Sequence, residues 1–320
     1  MHKLLLLSKH ENQYRSLIEK ACLPDLIFES TTTPEIDIVF GEPDLIKDAL
    51  ASLPALSWAQ SNWAGVEPLL DSAGLRKSNY ILTNARGVFG GLMSEYVFSY
   101  LLAHERKIFK RAQAQTAKQW ETSITGSLRG KTIGLLGVGS IGAEVARTAK
   151  FFGMTVRGYT RASETSAHVD RYFHPLESHN LLFDMQEQTP ALQEFADGLD
   201  YLVSILPNTK GTLKIVDANL LNALPSHAVF INVGRSSAVD ESALRKTLNQ
   251  NKIAGAVLDV FEQEPLPKDH PFWVTPNLLM TFHTSAPSLP EDIAKLFIEN
   301  YMLFNEGKPL KYQVDFERGY

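Results

Sequence analysis

The sequence has one cysteine, Cys22, among 320 residues. That excludes an internal disulfide and points to a reducing, cytoplasmic compartment. Cys22 lies in a helix-like stretch ending at Pro24 and reads as a buried structural thiol. Long apolar runs are missing as well. None approaches the roughly 18 residues of a membrane span, so no membrane partner is expected. The opening MHKLLLLSKH has only Leu4 to Leu7 as its apolar run, short of the roughly 7–15 residues of a secretion-signal core. It reads as a first strand. The net charge is -5, with both signs mixed along the chain; without a basic stripe to follow a phosphate backbone, nucleic acid is excluded as a partner. Repeats and low-complexity segments are also absent.

What remains is an ordinary globular composition, 44% hydrophobic and 21% charged. At this length two domains are expected. Apolar runs at 4–7, 36–40 and 55–58 alternate with helical patterns at 14–21, 45–50 and 66–72, the order of a parallel sheet covered on both faces. A helical stretch at 92–119 follows; unbroken, it would reach roughly 40 Å and could bridge two domains. Strands then recur at 132–136, 155–159, 201–206, 228–233, 254–260 and 278–282, with a helix at 140–152. Over 161–199 the signal fades and supports no assignment. His168, His174 and His179 in that stretch are spaced six and five apart. They miss the same-face i, i+4 spacing of a helical metal pair, so they read as solvent-exposed and no metal site is expected. A last helix, 292–304, can return to the first domain and leave it discontinuous in sequence. The fold class expected is α/β, with two doubly wound parallel-sheet, Rossmann-like domains and a cleft between them.

The stretch GLLGVGSIG contains Gly137-Val138-Gly139-Ser140-Ile141-Gly142, a G-x-G-x-x-G spacing. Alone the spacing is unspecific, but here it joins an expected strand to an expected helix, with a second strand beyond. Gly137 would allow the tight turn, Gly139 the approach of a pyrophosphate, and Gly142 close packing of helix on strand. The diphosphate would meet N–H groups at the positive end of the helix. NAD sites usually place an acid at the end of the second strand, whereas Thr160 followed by Arg161 stands here. A guanidinium can pair with a 2′-phosphate that a carboxylate would repel, so NADP is favoured over NAD. The alternative leaves Arg161 solvated at a strand end.

Three later strand ends carry unusual groups: Gly234-Arg235, Glu262-Gln263-Glu264-Pro265 and Phe282-His283-Thr284. In a doubly wound sheet, ligands gather outside the carboxyl ends of the strands. INVGRSSAVDESAL, AVLDVFEQEPLP and LLMTFH, in that order behind GVGSIG, resemble the D-isomer-specific 2-hydroxyacid dehydrogenase family over nearly the whole chain. SNWAGVEPL resembles its substrate-carboxylate loop, MSEY the start of its interdomain helix, and VDFERGY its tail. The spellings ILPNT and YTR are most similar to its glyoxylate/hydroxypyruvate reductase branch.

The resemblance implies hydride transfer from NAD(P)H to a small 2-oxo acid. It implies a substrate/catalytic domain at 1–95 plus 287–320 and a dinucleotide-binding domain at 96–286. Arg235 would bind the carboxylate and the reacting carbonyl oxygen, and His283 would protonate that oxygen. Glu264, rather than Glu262, would orient the imidazole and favour its charged form. Ala64 and Gly65 would offer backbone N–H groups to the substrate carboxylate, with Trp63 as an apolar wall. Pro207 and Val233 would line the cofactor, and Asp259 would bind the nicotinamide carboxamide or cap a loop. A homodimer is implied too, with the helix after Leu92 as its interface. The family commonly has proline where Phe282 stands and glycine where Ser236 stands; neither change removes a chemical group. Two alternatives stay open. A formate dehydrogenase-like enzyme would have glutamine in place of Glu264, and a corepressor-like dinucleotide sensor would bind cofactor with little turnover.

Overall fold

The structure is a computed structural model, and it describes residues 1–70, 80–161, 163–175 and 189–316. The chain divides into two compact units, Met1–Phe89 with Pro287–Tyr320 and Gly90–Ala286. The division falls at the start of a helix that the sequence expectation would have cut at residue 95.

In the first unit the described order is β1 (His2–Leu7), α1 (Glu11–Glu19), β2 (Leu26–Glu29), β3 (Ile38–Gly41), α2 (Pro43–Ala49), β4 (Trp58–Ser61), α3 (Glu67–Leu70) and β5 (Ile81–Thr83), with α10 (Pro290–Asn305) returning from the far end of the chain. The strands pair in parallel in the order β2-β1-β3-β4-β5. β3 and β4 are buried along their whole length, as central strands covered on both faces must be. Trp58 stacks on Phe297 of α10 at 5.1 Å, and Asn300 donates to Gln60 at 3.1 Å. This buried contact is what draws the C-terminal helix back to the first unit. β2 and β5 escaped the sequence reading because each is a short edge strand. β4 begins where the expected run at 55–58 ended, and positions 71–72 of the expected third helix lie outside the described residues. Cys22 corrects another expectation. α1 stops at Glu19, and Cys22 sits beyond it in a left-handed turn (φ 49°) with its thiol exposed.

The second unit opens with α4 (Gly90–Glu105) and α5 (Ile108–Thr116). The single helix expected over 92–119 is therefore broken. Lys107 adopts φ 52° between the two pieces. Just before it Glu105 turns inward, 9% exposed, and accepts a hydrogen bond from the Tyr201 hydroxyl. Room for that carboxylate exists because position 126 is glycine: a Cβ there would lie 1.7 Å from Glu105 Oε2. The buried tether fixes the end of α4.

There follow β6 (Thr132–Leu136), α6 (Ser140–Phe151), β7 (Thr155–Tyr159), β8 (Arg171–Phe173), α7 (Thr189–Ala196), β9 (Tyr201–Ser204), α8 (Ala218–Ala223), β10 (Val229–Asn232), α9 (Glu241–Asn249), β11 (Gly255–Leu258) and β12 (Leu278–Met280). All pair in parallel, in the order β12-β11-β10-β9-β6-β7-β8. Alternating residues feed two cores: Leu202 and Phe230 on one face, Val203 and Ile231 on the other. β8 and α7 lie where the sequence supported no assignment.

Strand order reverses between β6 and β9. In an open parallel sheet the crevice beside such a switch point, at the carboxyl ends, is where ligands bind.

Candidate active site

The glycine turn sits at that switch point. β6 ends at Leu136, Gly137 takes φ 95° as it donates to Tyr159 O at 3.0 Å, and Gly139 caps α6 without a side-chain hydrogen bond. The three glycines answer to different neighbours. A Cβ on Gly142 would lie 2.3 Å from Gly137 O, so the turn itself demands glycine there. A Cβ on Gly139 would meet no protein atom within 4 Å. Internal packing does not require that glycine, whereas a pyrophosphate closing on the helix N-terminus would. Val138, Ser140 and Ile141 complete the turn and the first residues of α6. These residues fit a dinucleotide.

Next to β6 lies β7, and its end carries Thr160 and Arg161. Thr160 is buried, and its hydroxyl donates to Ser163 O at 2.8 Å; Arg161 is exposed. Here the reading of the histidines needs correction. His174 is only half exposed: its Nδ1 faces Thr160 O at 3.0 Å and its Nε2 faces Glu164 at 2.7 Å. The Glu164 carboxylate raises the His174 pKa above its ordinary 6.5. Nothing in the sequence signals this, because β8, which ends just before His174, is only three residues long. His168 is exposed, and His179 lies outside the described residues.

On the other side of β6, β9 leads to half-buried Pro207 and β10 to buried Val233. The two strand ends come close at Gly234, where a Cβ would stand 2.6 Å from Leu206 N. Arg235 follows with an extended backbone, half-buried, donating from Nη1 to Gly234 O at 3.2 Å. Asn232, which sequence reasoning missed, braces this turn. Its Oδ1 accepts from Gly234 N at 3.2 Å and its Nδ2 donates to Arg235 O at 3.1 Å.

β11 and β12 bring the remaining groups. Asn232, Leu258 and Met280 stand in register across β10, β11 and β12, so Arg235 and His283 each lie three residues past that line. Their strands are next but one, about 10 Å apart by the ordinary spacing. His283 Nδ1 meets Glu264 Oε2 at 2.8 Å, with side-chain exposures of 56% and 36%. The other carboxylate oxygen accepts from Phe261 N at 3.0 Å, which fixes the acid's orientation. Glu262 makes no such contact; its N–H donates to Glu241 instead. Asp259 is fully buried, and its carboxylate is engaged by the Thr281 hydroxyl and by the N–H groups of Thr284 and Ser285.

In the first unit, the loop after β4 carries Trp63, Ala64 and Gly65. It is tied through its carbonyls, Trp63 O accepting from Ala85 N at 3.1 Å and Ala64 O from the Asn84 amide at 2.8 Å. Trp63 is 42% exposed.

Residues 98–285 match the family model for the D-isomer specific 2-hydroxyacid dehydrogenase, NAD binding domain. The chain belongs to the D-isomer specific 2-hydroxyacid dehydrogenases. A relative within reach of this family assignment is the glyoxylate/hydroxypyruvate reductase A of Yersinia enterocolitica, 32% identical over 279 residues, covering 86% of this chain and 85% of that one. Among solved structures, a D-isomer specific 2-hydroxyacid dehydrogenase family protein from Aeromonas salmonicida superimposes with a TM-score of 0.87 at 39% identity, covering 98% of this chain and 99% of that one. The NADPH-dependent glyoxylate/hydroxypyruvate reductase of Sinorhizobium meliloti, solved with NADP and sulfate, gives a TM-score of 0.82 at 26% identity over the whole of both chains. The two parallel-sheet units of this dehydrogenase are those of the family fold.

Proposed function

We propose that this dehydrogenase reduces a small 2-oxo acid, glyoxylate or hydroxypyruvate, to the 2-hydroxy acid, with NADPH preferred over NADH. The observation that carries the reading is the Glu264–His283 pair, 2.8 Å apart on the same sheet edge as Arg235 and the glycine turn. A bound nicotinamide supplies the hydride for the carbonyl carbon. The Arg235 guanidinium holds the carboxylate and the carbonyl oxygen in its planar fork and stabilises negative charge developing on that oxygen. His283, its Nδ1 facing Glu264, delivers the proton to the oxygen from Nε2. Ala64 and Gly65 give N–H groups to the substrate carboxylate, and Trp63 supplies an apolar wall. Pro207 and Val233 line the nicotinamide side, and the glycine turn takes the pyrophosphate.

The preference for NADPH rests on Thr160 and Arg161 standing where an NAD site usually has an acid. The Sinorhizobium meliloti relative named NADPH-dependent supports it. The protein works as a homodimer in this reading, and the second unit has apolar groups to cover: Trp120 is 94% exposed and Ile124 89%. A lone thiol suits a reducing cytoplasm. The test is spectrophotometric NADPH oxidation with glyoxylate, hydroxypyruvate and pyruvate, repeated with NADH. Turnover with the first two acids and a lower kcat/KM with NADH are expected. Tight cofactor binding without turnover on any acid would overturn the reading in favour of a dinucleotide sensor.

A further inference from the structure

His283 has φ 57°, a left-handed backbone conformation that a side-chain-bearing residue holds only when its surroundings over-determine it. The surroundings here converge on Asp259. Its backbone carbonyl accepts from His283 N at 2.8 Å. Its Oδ1 accepts from the Thr281 hydroxyl at 2.6 Å and Thr284 N at 2.9 Å, and its Oδ2 accepts from Ser285 N at 3.1 Å. One fully buried acid therefore grips the chain on both sides of the histidine and at the histidine itself.

A further residue, Tyr96 of α4, reaches this grip. Its hydroxyl lies 2.6 Å from Thr281 Oγ1. A threonine hydroxyl has a single proton, and Thr281 gives that proton to Asp259, so Tyr96 must be the donor. Burial pushes the Tyr96 phenol well above its ordinary pKa of 10, which keeps the proton in place. The direction is thus fixed: Tyr96 to Thr281, Thr281 to Asp259.

We propose that Tyr96, Thr281 and Asp259 are positioning residues that hold the turn at 281–285 in the conformation aiming the His283 imidazole at its proton acceptor. The acid role of His283 rests on the reductase reading; the restraint of the turn does not. This role is separate from a nicotinamide contact for Asp259, for which the carboxylate keeps acceptor capacity beyond these three hydrogen bonds, and Tyr96 and Thr281 tell the two apart through cofactor affinity. A residue that binds the nicotinamide changes NADPH affinity when its support is loosened, whereas a brace of the histidine changes the chemical step alone.

The experiment uses the full-length protein with Tyr96→Phe, Thr281→Val and Thr281→Ser, each checked for a native melting transition. Tyr96→Phe and Thr281→Val should lower kcat for glyoxylate roughly ten- to hundred-fold, the range for a misaligned reacting group. KM for glyoxylate and the Kd for NADPH, read from its fluorescence, should stay within about two-fold of the parent. Thr281→Ser keeps the hydroxyl and should restore kcat. An NADPH Kd that weakens in step with kcat, or a Thr281→Ser variant as impaired as Thr281→Val, would overturn the proposal. In parallel, the His283 imidazole resonance of the cofactor-free protein, identified by its loss in His283→Ala, should shift or broaden in Tyr96→Phe. An unmoved resonance would overturn the proposal as well. If the parent protein reduces no 2-oxo acid, the reductase reading falls and the resonance alone decides the brace.

Discussion

Replacing Gly139 and Gly142 in turn by alanine asks whether the turn after β6 is shaped by the protein or for a ligand. At Gly142 the new Cβ would lie 2.3 Å from the carbonyl oxygen of Gly137, a backbone atom that cannot swing aside. Overpacking of this kind costs about 3 kcal/mol at the upper end of its usual range, and the better helix propensity of alanine returns about 1 kcal/mol. The net loss of about 2 kcal/mol corresponds to a fall in Tm of roughly 4–8 °C. At Gly139 the Cβ meets no protein atom within 4 Å. Only the poorer helix cap counts there, at about 0.5–1 kcal/mol, a fall of roughly 1–4 °C. Cofactor affinity should discriminate the other way. A methyl group between the helix N-terminus and a pyrophosphate costs about 1–3 kcal/mol by the same overpacking scale, and NADPH binding should weaken roughly 5- to 150-fold. Differential scanning calorimetry and a fluorescence titration on both variants read the two effects. A Gly139→Ala protein that binds NADPH as tightly as its parent would refute the reasoning, whatever its Tm.

The reacting groups should separate in steady-state kinetics. Arg235→Ala should raise KM for glyoxylate and lower kcat roughly 10²–10³-fold, with Arg235→Lys recovering only part, since it keeps the charge and loses the fork. His283→Ala should lower kcat roughly 10²–10⁴-fold with little change in KM, and Glu264→Gln should fall between that variant and the parent. His174 gives a pH signature in thermal melts. Its pKa is raised in the folded protein by Glu164, so the stabilisation is fully present below its ordinary value and is lost as pH rises through the folded value. Glu164→Gln should therefore lower Tm at about pH 5.5 and leave it unchanged at about pH 9; an equal loss at both would refute the pairing. In the homodimer proposed above, Trp120→Glu should yield a monomer in light scattering, at unchanged cofactor affinity.

How much of this was legible in the sequence depends on what each feature's signal consists of. Central strands such as β3, β9 and β10 are short, largely apolar runs, and the sequence pattern finds them because burial on both faces favours apolar residues; the polar exceptions, Ser204 and Asn232, close β9 and β10. In the glycine spacing, backbone geometry accounts for Gly137, at φ 95°, and Gly142, whose Cβ would lie 2.3 Å from a carbonyl oxygen, while Gly139 has no such cause inside the protein. Edge strands β2, β5 and β8 carry no comparable signal, because one neighbour and a partly exposed face permit almost any composition. The break at Lys107 was invisible because it is set by Glu105 reaching Tyr201, a contact between residues 96 apart in sequence. His174 was illegible too: its spacing to other histidines was uninformative, and its partners are Thr160, weighed only as a cofactor residue, and Glu164, which carried no signal of its own.

The two departures from the family pattern, Phe282 and Ser236, can be weighed by asking what holds the neighbouring reactive residue. Phe282 lies 59% exposed with its ring tilted against Trp273, centroids 5.8 Å apart. The hydrogen bonds that restrain the histidine begin at Thr281 and resume at His283, Thr284 and Ser285. None uses the side chain or the N–H of residue 282, so a proline there would leave the restraint unchanged, and phenylalanine forfeits none of it. Arg235 is likewise held from behind, by Asn232 bonding to Gly234 N and to Arg235 O. Ser236 begins the short helical turn that follows and has no part in that brace. Substitution at 282 or 236 should therefore move KM among different 2-oxo acids more than it moves kcat for any one of them, while substitution at Asn232, which holds the turn that carries Arg235, should lower kcat for all of them alike. Steady-state kinetics of Phe282→Pro and Asn232→Ala against glyoxylate and hydroxypyruvate would decide it. A Phe282→Pro variant with kcat lowered equally for both acids would mean that the aromatic pair, and not Asp259, sets where the imidazole points.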